Sequence, residues 1–108
     1  MAFVPTNFYR AAFGTSIATL YTVLDGKKAE VHSFFFKNTN DTKVKIYVYL
    51  VPNGGSVAVG NAIFYEDEIE AGESLYLSHW FALATAGDTI QGYADASGVS
   101  CHIDGAVI

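Results

Sequence analysis

Few side chains in this sequence are equipped for chemistry. The histidines are His32, His79 and His102, and the one cysteine is Cys101. Their tightest grouping is Cys101-His102-Ile103-Asp104. A zinc site needs three or four such ligands converging on one point. Along an extended strand, successive side chains point to opposite faces. Cys101 and Ile103 then face one way, His102 and Asp104 the other, and two ligands do not close a site. Ser78 and His79 are neighbours, but on a strand they too would point apart. No Gly-x-Ser-x-Gly turn presents a nucleophile. No catalytic, cofactor or metal residue is assigned, and an enzyme is not expected.

Two further segments invite a test. Glu66, Asp67, Glu68, Glu70 and Glu73 form an acidic run without the Asp-x-Asp-x-Asp-Gly spacing of a calcium loop. It reads as a solvated stretch that keeps a sheet edge from unwanted pairing. Pro52 to Asn61 is glycine-rich but lacks the lysine of a phosphate-binding loop. It reads as a flexible connection, available at most to a neighbouring chain. Surface aromatics remain. Tyr47, Tyr49, Tyr65, Tyr76, Trp80 and Tyr93 suit subunit contacts, where Tyr and Trp are enriched. Stacking on a glycan is the alternative use.

The elements that must carry these residues are strands. Lys43 to Val51 alternates strictly, with Val44, Ile46, Val48 and Leu50 on one face and Lys43, Lys45, Tyr47 and Tyr49 on the other. Turn signals recur at Asp25-Gly26, Asn38–Asp41, Pro52–Gly55, Ala71–Glu73, Ala86–Asp88 and Ala96–Gly98. They separate about seven strands, or about eight if the N-terminal segment pairs or Ser74–Thr85 breaks in two. No window shows a helical period with caps. The expected fold is all-β: an antiparallel β-sandwich, jelly-roll-like. Immunoglobulin-like connectivity is the runner-up, although its Cys–Trp–Cys arrangement is missing.

Composition agrees. The 108 residues are 51% hydrophobic and 16% charged, with eight Phe, seven Tyr and one Trp. Such a chain can bury a core and is not disordered. A lone cysteine excludes a disulfide framework. The net charge of −5 argues against direct nucleic-acid binding. No run of 18 apolar residues suggests a transmembrane helix, and no membrane partner is expected. The first residues lack the pattern of a signal peptide.

Residues 1–14 differ from residues 15–108, which read as one sandwich domain. The first stretch holds Phe3, Phe8, Tyr9, Arg10 and Phe13 without clean alternation. It is either a first strand or an arm that packs aromatics on a neighbouring subunit. The contact candidates are therefore Phe3, Phe8, Tyr9, Arg10, Phe13, Tyr47, Tyr49 and Trp80. So many aromatics on a small, weakly charged domain point to symmetric self-association, with a trimer favoured.

Four segments carry a resemblance. They are Thr19–Lys27, Val31–Asn40, Ile69–Leu75 and Ala86–Ala94. In order, they resemble a pattern found in small accessory virion proteins of tailed bacteriophages, including phages of cyanobacteria. Leu24 stands where that pattern has proline. The resemblance spans roughly Thr15 to Ile108, and its matched positions are turns and core strands. It implies a capsid decoration (cement) protein, or a neck, tail or fibre component. A carbohydrate-binding adsorption module is the alternative. The implied partners are further copies of itself and the major capsid protein or another virion protein. The implied location is the virion, assembled in the host bacterial cytoplasm. No active-site residue transfers with it.

Overall fold

The computed structural model describes residues 3–108. Met1 and Ala2 of the N-terminal stretch lie outside the described residues. The strands run β1 (Val4–Ala12), β2 (Ala18–Thr22), β3 (Ala29–Asn38), β4 (Val44–Val51), β5 (Ala62–Ile69), β6 (Ser74–Leu83), β7 (Thr89–Ala94) and β8 (Val99–Val107). A short 3-10 turn, Val59–Asn61, precedes β5. Two four-stranded antiparallel sheets form, ordered β1-β8-β3-β6 and β2-β7-β4-β5. Among consecutive strands only β4 and β5 pair; the others cross from one sheet to the opposite one. This is a jelly roll. Its strand order sets aside the immunoglobulin-like alternative, in which the first two strands would share a sheet.

The alternation in β4 places Val44, Ile46 and Val48 in the core, and Leu50 packs partly buried against it. Across the sandwich, Phe34 and Phe36 on β3 meet Phe64 on β5 edge-to-face, with ring centroids 5.5 and 5.2 Å apart. Such geometry sets the electropositive ring edge against the electronegative face. Each end of the sandwich is tied by one buried polar side chain. Asn38 Nδ2 donates to the carbonyls of Thr42, Ile69 and Glu70, and its Oδ1 accepts from Asn40 N–H. At the other end, Asp88 accepts from the backbone N–H groups of Asn53 and Thr85. Both residues are buried with their polar atoms satisfied, as burial of polar groups requires.

The irregular N-terminal segment has a specific cause. Asn7 pairs with Asp104 and Tyr9 with Ile103, so Phe8 is an extra residue in β1. This β-bulge bends the strand and turns Phe8 inward. Its ring lies where a side chain at Gly105 would have to sit, since a Cβ there would fall 2.7 Å from the Phe8 ring and 1.9 Å from the Glu30 carbonyl oxygen. Phe13 sits at the crossing between sheets, and a Cβ at Gly92 would meet its ring at 2.8 Å. A glycine within a strand thus makes room for each aromatic. As contact candidates, Phe8 and Phe13 are corrected: both are buried in the core, because the bulge and the glycine gaps give them interior seats.

Two substitutions test these seats. Phe8→Ala should destabilise the fold by about 3 kcal/mol or more by leaving a cavity. Gly105→Ala should also destabilise it, by forcing β3 and β8 apart. Each should lower the melting temperature by roughly 10 °C or more, read by circular dichroism. Wild-type melting of either variant would contradict the packing.

Candidate functional site

The chemistry-bearing residues are not gathered into a pocket. Cys101 is fully buried on the inner face of β8, and burial pushes its thiol pKa far above the ordinary range. It behaves as a small apolar residue. His102 and Asp104 share the other face, and Asp104 Oδ1 accepts from Asn7 Nδ2 at 2.8 Å. Ser78 and His79 are exposed on β6. Among the described residues, no three His, Cys, Asp or Glu side chains form a metal-holding group, and no ligand-sized cavity opens.

What the fold presents instead is two aromatic sheet faces. On the outer face of the first sheet, one cross-strand row runs Tyr76–Phe35–His102–Arg10, through β6, β3, β8 and β1. The Phe35 and His102 rings meet edge-on at 6.1 Å. Beside this row, His32 stacks on Trp80 with centroids 4.3 Å apart and planes 15° from parallel. His32 Nε2 also lies 3.0 Å from Glu30 Oε1. This site coincides with a register shift. Val31 pairs with Phe81 and Ser33 with Ser78, so His32 faces two residues of β6, His79 and Trp80.

On the outer face of the second sheet, Tyr47 stacks on Tyr93 at 4.5 Å and meets Tyr65 edge-on at 5.6 Å. Tyr47 and Tyr93 cover one face of each other's ring. Further along β4, Tyr49 is buried beside Val51, and β4 contacts the 3-10 turn of the glycine-rich connection. Tyr49 is thus corrected as a contact candidate. Its alternation is regular, but this end of the strand is covered on both faces. Tyr9 is half-buried, and its hydroxyl donates to the Ala12 carbonyl at 2.9 Å. Phe3, Arg10 and Trp80 are exposed, and Tyr47 is partly so.

The glycine-rich connection is held at its end. Asn61 Nδ2 donates to the Ser56 carbonyl, and Asn61 Oδ1 accepts from Ala58 N–H. The acidic run falls largely within β5, an edge strand. Lys43 Nζ approaches Glu68 at 3.1 Å. The row through Phe35 was missed in the sequence. Phe34, Phe35 and Phe36 are consecutive and the bulge at His32 hides the phase, so no local signal marks Phe35 as the outward one.

No protein-family model matches this chain, and neither does any curated protein. Solved virus structures do match it. The structure of infectious bursal disease virus, Gx strain, covers 98% of this chain and 31% of its own, at TM-score 0.54 and 13% identity. The T13 particle of the same virus matches at TM-score 0.57 and 10% identity, over 98% of this chain and 30% of that one. Its VP2 subviral particle matches at 0.53 and 10%, over 98% and 32%. The shared feature is the fold. This chain spans just under a third of the length of those it matches.

The tyrosines give a pH expectation. Burial raises the pKa of Tyr9, Tyr21 and Tyr49 above the ordinary 10.0. The fold therefore favours the neutral phenol, and above that pH the unfolded chain ionises first. The stability linked to these groups is intact below pH 10.0 and is lost as pH rises through the raised folded values. The urea midpoint should therefore fall between about pH 9 and about pH 11. An unchanged midpoint would contradict the desolvation of these phenols.

Proposed function

We propose that this chain is a structural protein of a virion, and that it acts by binding and reinforcing an assembled shell. The observation that carries the reading is the jelly-roll overlay on virus-particle chains along nearly the whole of this chain. The resemblance of Thr19–Lys27 and the later turn segments to accessory proteins of tailed phages supports the same class. The matched chains are about three times longer, and the match covers just under a third of each; the choice of an added part over a shell subunit rests on the resemblance to accessory proteins.

The surface supports this reading in physical terms. A decoration protein works by contact and needs a rigid body with sticky faces. Two outward aromatic sets, around Trp80 and around Tyr47, supply such faces. Aromatic side chains dominate the energetics of protein contacts. A protein that binds only the assembled lattice stabilises it by mass action. Symmetric oligomers, including the trimer expected from the sequence, would multiply that attachment.

Mass spectrometry of purified particles from the producing cells tests this. The chain should be found there in a copy number comparable with the shell subunits. Its absence from particles would defeat the proposal. A copy number matching a single vertex would move it to the neck or tail.

A further inference from the structure

Four strands lie at sheet edges: β1 and β6 in one sheet, β2 and β5 in the other. An edge offers unpaired N–H and C=O groups, and proteins usually blunt it with charge, proline, bulges or short length. Three edges here are blunted. β1 carries Pro5, Arg10 and the bulge at Phe8. β2 is only five residues long. β5 carries Glu66, Asp67 and Glu68, and Glu66 has a left-handed backbone, φ 56°. β6 differs. Its ten residues, Ser-Leu-Tyr-Leu-Ser-His-Trp-Phe-Ala-Leu, include no Asp, Glu, Lys, Arg, Pro or Gly.

We infer that β6 is a docking edge for β6 of a second copy, paired antiparallel about a two-fold axis. The occupant follows from charge and pattern. Like charges directly opposite each other destabilise a strand pair. Pairing β5 with its own copy would confront acids with acids, whereas β6 confronts no formal charge. A two-fold contact must also be self-complementary. With Ser78 opposite Ser78 of the second copy, Trp80 falls opposite Tyr76 of that copy, twice, on the outer face. Leu75 then faces Phe81, and Leu77 faces His79. The two outer rows would join into one eight-stranded sheet with a continuous aromatic band.

The available surface is of a useful size. Trp80 is 67% exposed and Tyr76 60%. On a payload of roughly 150–250 Å² per aromatic side chain, these two offer roughly 250 Å² per copy. That is about a third of the ~800 Å² per partner in a standard interface. The strand itself, about 33 Å long, presents its backbone hydrogen-bonding groups for the remainder. This inference deepens the proposed structural role and rests on it for its biological setting. A two-fold contact added to a three-fold one would extend an oligomer into a lattice.

Ser78→Cys provides the test, because the native cysteine is buried. The two introduced thiols, one from each copy, would sit at a strand-pair spacing of about 5 Å, within disulfide reach. Under mild oxidation the full chain should run as a covalent dimer on a non-reducing gel. Ser97→Cys, exposed on a turn, should give at least tenfold less. A second variant, Ser78→Glu, places two carboxylates face to face. It should keep its circular dichroism and weaken the dimer at least tenfold by light scattering. Equal cross-linking from both cysteine positions, or dimers unaffected by Ser78→Glu, would overturn the edge pairing. A wild-type chain that is strictly monomeric at high micromolar concentration would also overturn it. None of these results bears on whether the chain is found in particles, so the two proposals fail separately.

Discussion

The sandwich depends on the grip of β3 on β5 across the core. Alternate residues of β3 engage the opposite sheet: Phe34 and Phe36 close on Phe64, and Asn38 reaches the carbonyls of Ile69 and Glu70. The first two contacts bury aromatic area, worth several kcal/mol in such positions. The third is directional, because an amide satisfies those carbonyls only in one register. Hydrophobic contact alone would let the sheets slide; the buried amide fixes their relative position. The remaining core, from Val31 and Ile103 on one sheet to Ile46 and Ile90 on the other, closes around this grip.

With the inner faces committed, everything that can interact must lie outside. Four bulged or irregular register sites, at Phe8, Leu20, His32 and within β5, bend the strands and re-aim individual side chains. At Phe8 the bulge sends an aromatic inward. At His32 it accompanies an outward stack with Trp80. The same local device therefore divides the aromatics between core and surface. Their abundance serves both the core and the outer faces.

Much of this was legible in the sequence where pleat and pattern stay in phase. Val44, Ile46 and Val48 are core because β4 pairs regularly with β7. Cys101 and Ile103 turn inward and His102 and Asp104 turn away, as alternation requires. The turn at Gly26 has a positive φ that glycine adopts without strain. What stayed hidden depends on contacts distant in sequence. Phe8 and Phe13 resemble an aromatic arm until Gly105 and Gly92, some 80 to 100 residues later, are seen to make room for them. Tyr49 sits on the outward phase of β4 and is nevertheless covered. The pairing of Phe35 with Tyr76 and His102 requires the sheet order, which no local pattern supplies.

The most direct test of the proposed structural role is an image reconstruction of purified particles at side-chain resolution. The expected result is an eight-stranded sandwich of about 45 × 27 × 19 Å, seated against the shell through an outer aromatic face, with Phe8 and Phe13 inside it. A reconstruction whose density is fully assigned to other chains would contradict it.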